Sequence, residues 1–572
     1  MKRSSQTLLA CLLTLGSLGS AVAQLVVVEP DGINDVVSAG DDFATQVVGD
    51  PWDMNETTDV EFYYSAGMDN ETVSAGQYHA LTTGTGPAFW VHFPGVSSTL
   101  DLSRGARNPV TTGIYRYLTV KQRVTSAQPL AMLGYFFRDK ESFVDTTYGY
   151  SNFASYPSNQ WVIVSIDMAT STAPSSPHAW TDFPAVNGIR VSPANASNAQ
   201  VDVDWVRLTA APTAANRYTI TWTDSAGGPY TATAIDADGA RFLLGSALTG
   251  TSYSADFSRL APGDYHIELA RAGATATSTG SLHINSPPRP QVIAPSIRGD
   301  QSRSYGQVEL GNPWGPIEAA DIQNTGGFSG ISYTNPVGTF YGRPTTGDPW
   351  IQMKTTAHPI NASVYRSLCF TMEVFGPPAQ LFNSVARVYW GNTFATMNPT
   401  QDILVGRGSS EYCIEDLASA ALEPGATTPW AGSINLIRLD PHEYSVSGTC
   451  TTTPNAVNCH DARMTSFVLA PFASASPAYT IQWNVVDADN SAAGIVIYLD
   501  PDRFFNNGNE IAIAFPGQLG SGQLNWTVPS NVPNGKYYVA LFASDGLNAI
   551  VQYSGGPLLT NFVDLIFRDG FE

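Results

Sequence analysis

The sequence predicts an all-β protein built as a tandem array, a large sandwich then a small one, twice over. Three observations predict it. Short runs rich in Val, Ile, Thr, Tyr and Trp alternate with Gly, Pro, Asn, Asp and Ser clusters, as in WVIVSIDMA from Trp161 and KYYVALFAS from Lys536. Period-two alternation between turn signals marks half-buried strands. A sustained 3.6-residue apolar period is missing, which argues against helical layers. The chain also repeats itself. GDPWDM (Gly49 to Met54) returns as GNPWGP (Gly311 to Pro316), and IYRYLTV from Ile114 as VYRSLCF from Val364. NGIRVSP from Asn187 returns as NLIRLDP from Asn435, and YTITW from Tyr218 as YTIQW from Tyr479. A shift held in the same order along the chain means a duplicated unit.

The elements follow in order. Residues 1–23 read as a secretory signal: Lys2 and Arg3, an apolar run from Leu8 to Leu15, and Ala21-Val22-Ala23 as the cleavage site. That run is too short to span a bilayer, which takes about 20 residues. The mature chain is therefore expected to be secreted, extracellular or on the cell surface, with no membrane span. A first large unit, A, is placed at 24–210 and a small unit, B, at 211–288. The stretch SPPRP (Ser286 to Pro290) reads as a stiff, extended joint. The repeats A′ and B′ follow at 289–470 and 471–556. Residues 557–572 form a tail ending in DLIFRDGFE, expected to be a sorting signal, a disordered end or a last strand. Each A unit has the size of a two-sheet jelly roll.

Only 13% of residues are charged, against about 25% in ordinary domains, and the formal net charge is −21. That balance disfavours nucleic acid and anionic membrane surfaces as partners, because both require basic patches. Cys11 leaves with the signal. Cys369, Cys413, Cys450 and Cys459 remain, an even number that suggests disulfides in an exported chain. Cys369 and Cys413 sit in strand-like runs, and Cys450 and Cys459 close a loop that the first copy lacks. The expected pairs are Cys369–Cys413 and Cys450–Cys459. Zinc, with His460 beside Cys459, is the alternative, but the spacing fits no usual zinc pattern.

The strand VDVDWVRL (Val201 to Leu208), with NGIRV ahead of it, resembles the last strands of galactose-binding-like modules, the jelly rolls of many carbohydrate-binding domains. MTSFVLA (Met464 to Ala470) departs from that ending in the second copy. PGDYHIEL from Pro262 and NGKYYVAL from Asn534 resemble the Gly-x-Tyr strand of immunoglobulin-like and fibronectin type III sandwiches. The resemblance implies glycan-binding A units spaced by B units, with a structural calcium near the ends of the A units. Asp41, Asp42 and Asp204 are the candidates it implies for that ion.

No catalytic signature is present: no H-E-x-x-H, G-x-S-x-G or Walker A loop. The histidines (His79, His92, His178, His266, His283, His358, His442 and His460) are scattered. Asp202 and Asp204 alternate on one strand and so are expected to share a face. Paired carboxylates can hydrolyse glycosides, although a solvated strand face or a calcium ligand explains them as well. Asp500, Asp502, Asn506, Asn507 and Asn509 crowd into DPDRFFNNGNE, and Ca²⁺ takes such oxygen ligands. Asp500, Asp502 and Asn507 are its candidate ligands, and a polar turn around Asn-Gly is the alternative. No other cofactor is expected.

Aromatic residues make up 11% of the chain. The repeated ones (Trp52/Trp314, Trp90/Trp350, Tyr115/Tyr365, Trp180/Trp430) are expected to pack. The unrepeated loops are the expected ligand sites: Tyr148, Tyr150 and Tyr156 near Phe153, and Tyr389 and Trp390 near Phe394. The leading expectation is a secreted, non-catalytic protein that binds carbohydrate or another extracellular polymer. The alternatives are an adhesin-like stalk without a small ligand, and a polysaccharide-cleaving hydrolase or lyase on a jelly-roll scaffold.

Overall fold

The computed structural model describes residues 24–56, 59–84, 86–91, 109–137, 148–186, 188–334, 337–346, 348–355, 358–375, 385–400, 403–404, 408–420, 422, 426–441, 461–471, 476–517 and 519–560. The signal segment, both cysteines of the Cys450–Cys459 pair and the tail beyond 560 lie outside them. Strands dominate, and none of the described helices is long and apolar enough to cross a membrane.

Each large sandwich has two facing sheets with the same strand order in both copies. In the first, one sheet runs Tyr148–Tyr150, Leu130–Phe137, Gly188–Ser192, Ala88–Val91, Val60–Ala66. Its counterpart runs Asn398–Pro399, Val385–Gly391, Leu436–Asp440, Trp350–Met353, Ile322–Gly326. The facing sheet orders Trp161–Asp167, Tyr115–Thr125, Gln200–Ala210, Gln77–Thr82, Met68–Ser74. The second copy orders Gly408–Ile414, Tyr365–Phe375, Asp461–Pro471, Val337–Pro344, Phe328–Thr334 in the same way. Alternate residues of the two sheets meet between them, so Phe89, Val91, Phe136, Ile189 and Val191 fill the first interior. Ile351, Met353, Val388, Ile437 and Leu439 fill the second. Trp180 and Trp430 are buried, and each indole donates to a main-chain carbonyl of the matched tyrosine, Tyr115 or Tyr365. These two pairs are packing residues, and so are Trp52 and Trp314, each 2% exposed.

The small sandwiches correct the expected boundaries. The strand Val26–Glu29 pairs with Arg217–Thr223, and Leu25, Val27, Val37 and Ala39 belong to the small apolar cluster around Trp222 and Ile267. Arg289–Ala294, placed at the start of A′, pairs with Ala478–Val486 beside Trp483. Each small sandwich thus takes its first strand from before the large one, because only there do those apolar residues find a second layer. The SPPRP joint runs directly into that strand, and the last strand extends to Thr560 rather than stopping at 556. In both small units a tyrosine hydroxyl reaches back four residues to a carbonyl: Tyr265 to Ala261 at 3.0 Å and Tyr537 to Pro533 at 3.2 Å. This is the tyrosine corner of immunoglobulin-like sandwiches.

Cys369 and Cys413 form a disulfide across two neighbouring antiparallel strands of the second large sandwich. In the first half, Val162 pairs with Arg241 and carries the sheet from the large unit into the small one. Lys121, 4% exposed, bonds there to Asp204 of the large unit and to Asp236 and Asp238 of the small one, at 2.9, 2.8 and 2.6 Å.

Candidate ligand-binding site

Strand alternation decides which aromatics reach a ligand. On Val385–Gly391 the residues Ala386, Val388 and Trp390 point inward, and Tyr389 points outward. Across the sheet Tyr389 pairs with Arg438, and Arg438 pairs with Gln352, so these three form one row on the outer face. Trp350 lies two residues from Gln352 on that same face. Its indole lies over Gly326 of the next strand, where a Cβ would come within 2.3 Å of the ring. Gly326 thereby lets the ring lie close against the sheet.

Three rings surround the Arg438 guanidinium: Tyr389 at 4.7 Å, Trp350 at 5.2 Å and Phe394 at 5.9 Å from its carbon. Trp350 and Phe394 meet edge to face at 5.1 Å. Trp350 and Tyr389 are half-buried, and Phe394 is 46% exposed. Arg438 is held from the side by Asp440, with Nε to Oδ1 at 2.6 Å, and by Asp348 at 2.8 Å. Burial works against the Arg438 charge, but the bond to Asp440 together with the negative charges of Asp440 and Asp348 outweighs it and raises the guanidinium above its ordinary value. Burial, with Asp348 nearby, pushes the Asp440 carboxyl up to about 7 against the pull of Arg438. The result is a rigid aromatic shelf with a fixed cation and its carboxylates at the centre. Such a surface can stack on flat apolar faces while orienting hydroxyl or carbonyl groups.

The first copy repeats the design. Arg190 pairs with Trp90 on one side and Tyr135 on the other, and its guanidinium carbon lies 5.8 Å from the Tyr135 ring. Tyr150 pairs with Tyr135, and Tyr148 with Phe137. Here, however, Trp90, Phe137 and Arg190 are 3%, 1% and 1% exposed, and Trp90 and Phe137 join the apolar cluster of the second large sandwich. The second copy's shelf is therefore the accessible one.

Several expected site residues change role. Tyr148, Tyr150 and Tyr389 lie on outer faces, half-buried. Tyr156 is 8% exposed in the interior and donates its hydroxyl to the Pro193 carbonyl. Trp390 is fully buried against Trp430. Both fail as ligand contacts because alternation turns them inward. Trp350, expected to pack, is on the outer face. Arg438, Arg190 and Tyr135 were missed. For the two arginines a signal was present in the repeat, since NGIRVSP and NLIRLDP carry Arg190 and Arg438 in register.

The metal candidates also change. Asp42 and Asp204 do line one cleft of about 290 Å³, together with Arg207 and Arg289. Asp42 accepts from the Leu208 and Thr45 amides and the Thr45 hydroxyl, while Asp204 is bound to Lys121. These donors tie Asp42 and Asp204 into the hydrogen-bond network of the fold. Asp500 is buried and accepts from Tyr553 and from the Asp502 and Arg503 amides. Asp502 accepts from Asn507 at 2.9 Å and Asn509 at 2.8 Å, closing the loop on itself. Asp202, the candidate hydrolytic partner of Asp204, is instead held by His79 and Arg123.

Residues 469–556 match the model of the Kre9/KNH-like N-terminal Ig-like domain. No curated protein matches the chain. Among solved structures, the CBM22-1–CBM22-2 tandem domain of Paenibacillus barcinonensis Xyn10C is 8% identical, with a TM-score of 0.19, over 76% of this chain and 98% of that one. Parabacteroides merdae β-glucuronidase is 12% identical, with a TM-score of 0.14, over 38% of this chain and 29% of that one. Chicken CNTN1 FN1–FN3 is 8% identical, with a TM-score of 0.12, over 59% of this chain and 94% of that one. Likenesses at these scores carry no argument about function.

Proposed function

We propose that this is an exported, non-catalytic protein that binds a carbohydrate polymer on the outer face of its second large sandwich. The observation that carries the reading is the ring of Trp350, Tyr389 and Phe394 around Arg438. Sugar rings present C–H faces to aromatic planes, and their hydroxyls bond to fixed polar groups such as Asp348 and Arg438. Asp440 supports binding over hydrolysis. Its side chain has no exposed surface and is bonded to Arg438, so it offers no carboxyl to a glycosidic bond.

The test is retention of the mature full-length chain on a panel of soluble and insoluble polysaccharides, with released reducing ends and unsaturated products read from the same tubes. Retention without product is expected. Phe394→Ala is expected to weaken it about fivefold to tenfold, since one stacked ring contributes about 1–1.4 kcal/mol. Retention unchanged in both Phe394→Ala and Trp350→Ala would remove the shelf from the binding site. Product release would replace binding with catalysis.

A further inference from the structure

The two copies differ at one buried tyrosine hydroxyl. Tyr115 and Tyr365 hold matched places, each edge to face at 5.4 Å with the ring of Phe43 or Tyr305. In the second copy the Tyr365 hydroxyl donates to Glu309 Oε1 at 2.7 Å. Counted back from the matched GDPW and GNPW segments, Val47 stands where Glu309 does. Tyr115 is 9% exposed, and its hydroxyl makes no hydrogen bond among the described residues. A buried hydroxyl without a partner is costly, so a ligand that supplies one gains by it.

Tyr115 and Val47 both line a cleft of about 470 Å³ between the first large sandwich and the second small one. That volume is within the range of about 300–1,000 Å³ found for small-molecule sites. The opposite wall carries Phe504, Phe505 and Phe542. Phe505 and Phe542 stack at 6.0 Å with 19° between their planes, and Phe504 is 72% exposed. Asp502 closes the loop that carries Phe504 and Phe505 by accepting from Asn507 and Asn509, which holds the two rings in place. Gln552 Nε2 donates to the Gln46 carbonyl at 3.1 Å, and Gln46 Nε2 to the Ala549 carbonyl at 3.5 Å. The Oε1 atoms of both glutamines accept no hydrogen bond among the described residues. Among those residues no carboxylate lines the cleft, and the guanidinium that does, that of Arg503, donates to the Ser554 and Gly555 carbonyls.

We propose that this cleft binds a short neutral saccharide, whose ring faces stack on Phe504 and Phe505 and whose hydroxyls engage the Tyr115 hydroxyl and the Gln46 and Gln552 amide oxygens. A sugar hydroxyl both donates and accepts, so it matches a phenol set beside amide acceptors. An anion would meet a guanidinium already committed to main-chain carbonyls. The cleft is separate from the aromatic shelf and binds independently of it. Its walls come from the two halves of the chain, so a bound sugar ties them together.

The experiment titrates the full-length chain with cellobiose, laminaribiose, maltose and N,N′-diacetylchitobiose and follows the heat of binding. Saturable binding of at least one of them is expected. Tyr115→Phe keeps the ring and removes only the hydroxyl. It is expected to weaken that binding about threefold to tenfold, the effect of one hydrogen bond, and to leave the Tm of the sugar-free chain at or above the native value. Val47→Glu gives Tyr115 the acceptor that Tyr365 has, and is expected to weaken binding by competing for the hydroxyl. Phe504→Ala removes an exposed ring and is expected to weaken binding without loss of folding. Phe394→Ala, on the shelf, is expected to leave the cleft affinity unchanged, so the failure of one site is distinguished from that of the other. No saturable heat from any of these sugars at millimolar concentration would overturn the proposal. So would equal binding by the native, Tyr115→Phe and Phe504→Ala chains.

Discussion

Position 50 is an aspartate where position 312 is an asparagine; the Asn312 amide donates to the buried Asp321, whereas Asp59, which takes the place of Asp321, keeps one buried oxygen without a hydrogen bond. Its electrostatic consequence is measurable. Burial, together with the carboxylates of Asp50, Asp53 and Glu56, pushes the Asp59 carboxyl up to about 7. An acid raised on folding binds its proton more tightly in the native state than in the unfolded chain. Its contribution is complete below about pH 4 and is lost as pH rises through 7. The Tm of the native chain is expected to fall over that interval, and Asp59→Asn to flatten the fall. A slope unchanged by Asp59→Asn would show that other groups set it, Asp440 being shifted in the same direction. At this scale the sequence was partly legible. Tyr389 and Trp390 are neighbours on one strand, so only one of them was able to face outward. Arg438 was legible only as a repeated arginine, since the aromatics around it come together only when the strands lie side by side.

At the scale of the strand, the two copies keep an interaction while exchanging its signs. In the first large sandwich Asp202 on the last strand pairs with Arg123 on its neighbour, at 2.8 Å. In the second, Arg463 takes the place of Asp202 and Glu373 that of Arg123, and they meet at 3.3 Å. The exchange accounts for Asp202, one of the two acids of VDVDWVRL that the second copy's strand lacks at the matching place. The strand is equivalent, but its partner carries the negative charge. Sequence comparison along one strand reads this as divergence, because the compensating residue lies 90 positions away. A partly exposed pair of this kind contributes about 1 kcal/mol or less. Glu373→Arg is expected to cost at least that much by placing two cations together, and adding Arg463→Asp is expected to recover most of the loss. Denaturant unfolding of the single and double variants checks this. Additive losses would mean that the two side chains do not couple. The bond between Arg116 and Asp167 is matched by that between Arg366 and Asp416 with the same signs, and the IYRYLTV and VYRSLCF segments carry its arginine in register.

At the scale of the whole molecule, order along the chain and order in space part company. Repetition and alternation made the all-β class and the recurring pattern of large and small units legible. They did not show that each small sandwich is closed by a strand lying before the large one. A four-residue strand such as Val26–Glu29 has no internal signal that names its partner, because pairing is settled by which sheet edge is open. The large sandwich is in effect an insertion into the small one, and each half folds back to complete its beginning. Lys121 reinforces the closure by holding Asp204, Asp236 and Asp238 across the seam. A prediction about fragments follows from the strand pairing. The fragment 211–288 lacks Leu25, Val27, Val37 and Ala39, all buried in its apolar cluster, and leaves the Arg217–Thr223 edge without its neighbour. It is expected to remain unfolded or to aggregate through that edge, whereas the fragment 24–286 retains both sandwiches of the first half and is expected to unfold cooperatively. Amide dispersion in proton NMR and the denaturant m-value distinguish the two, since m scales with the surface a fragment exposes on unfolding. A dispersed spectrum from 211–288 alone would mean that the leading strand is an addition to a small sandwich already complete without it.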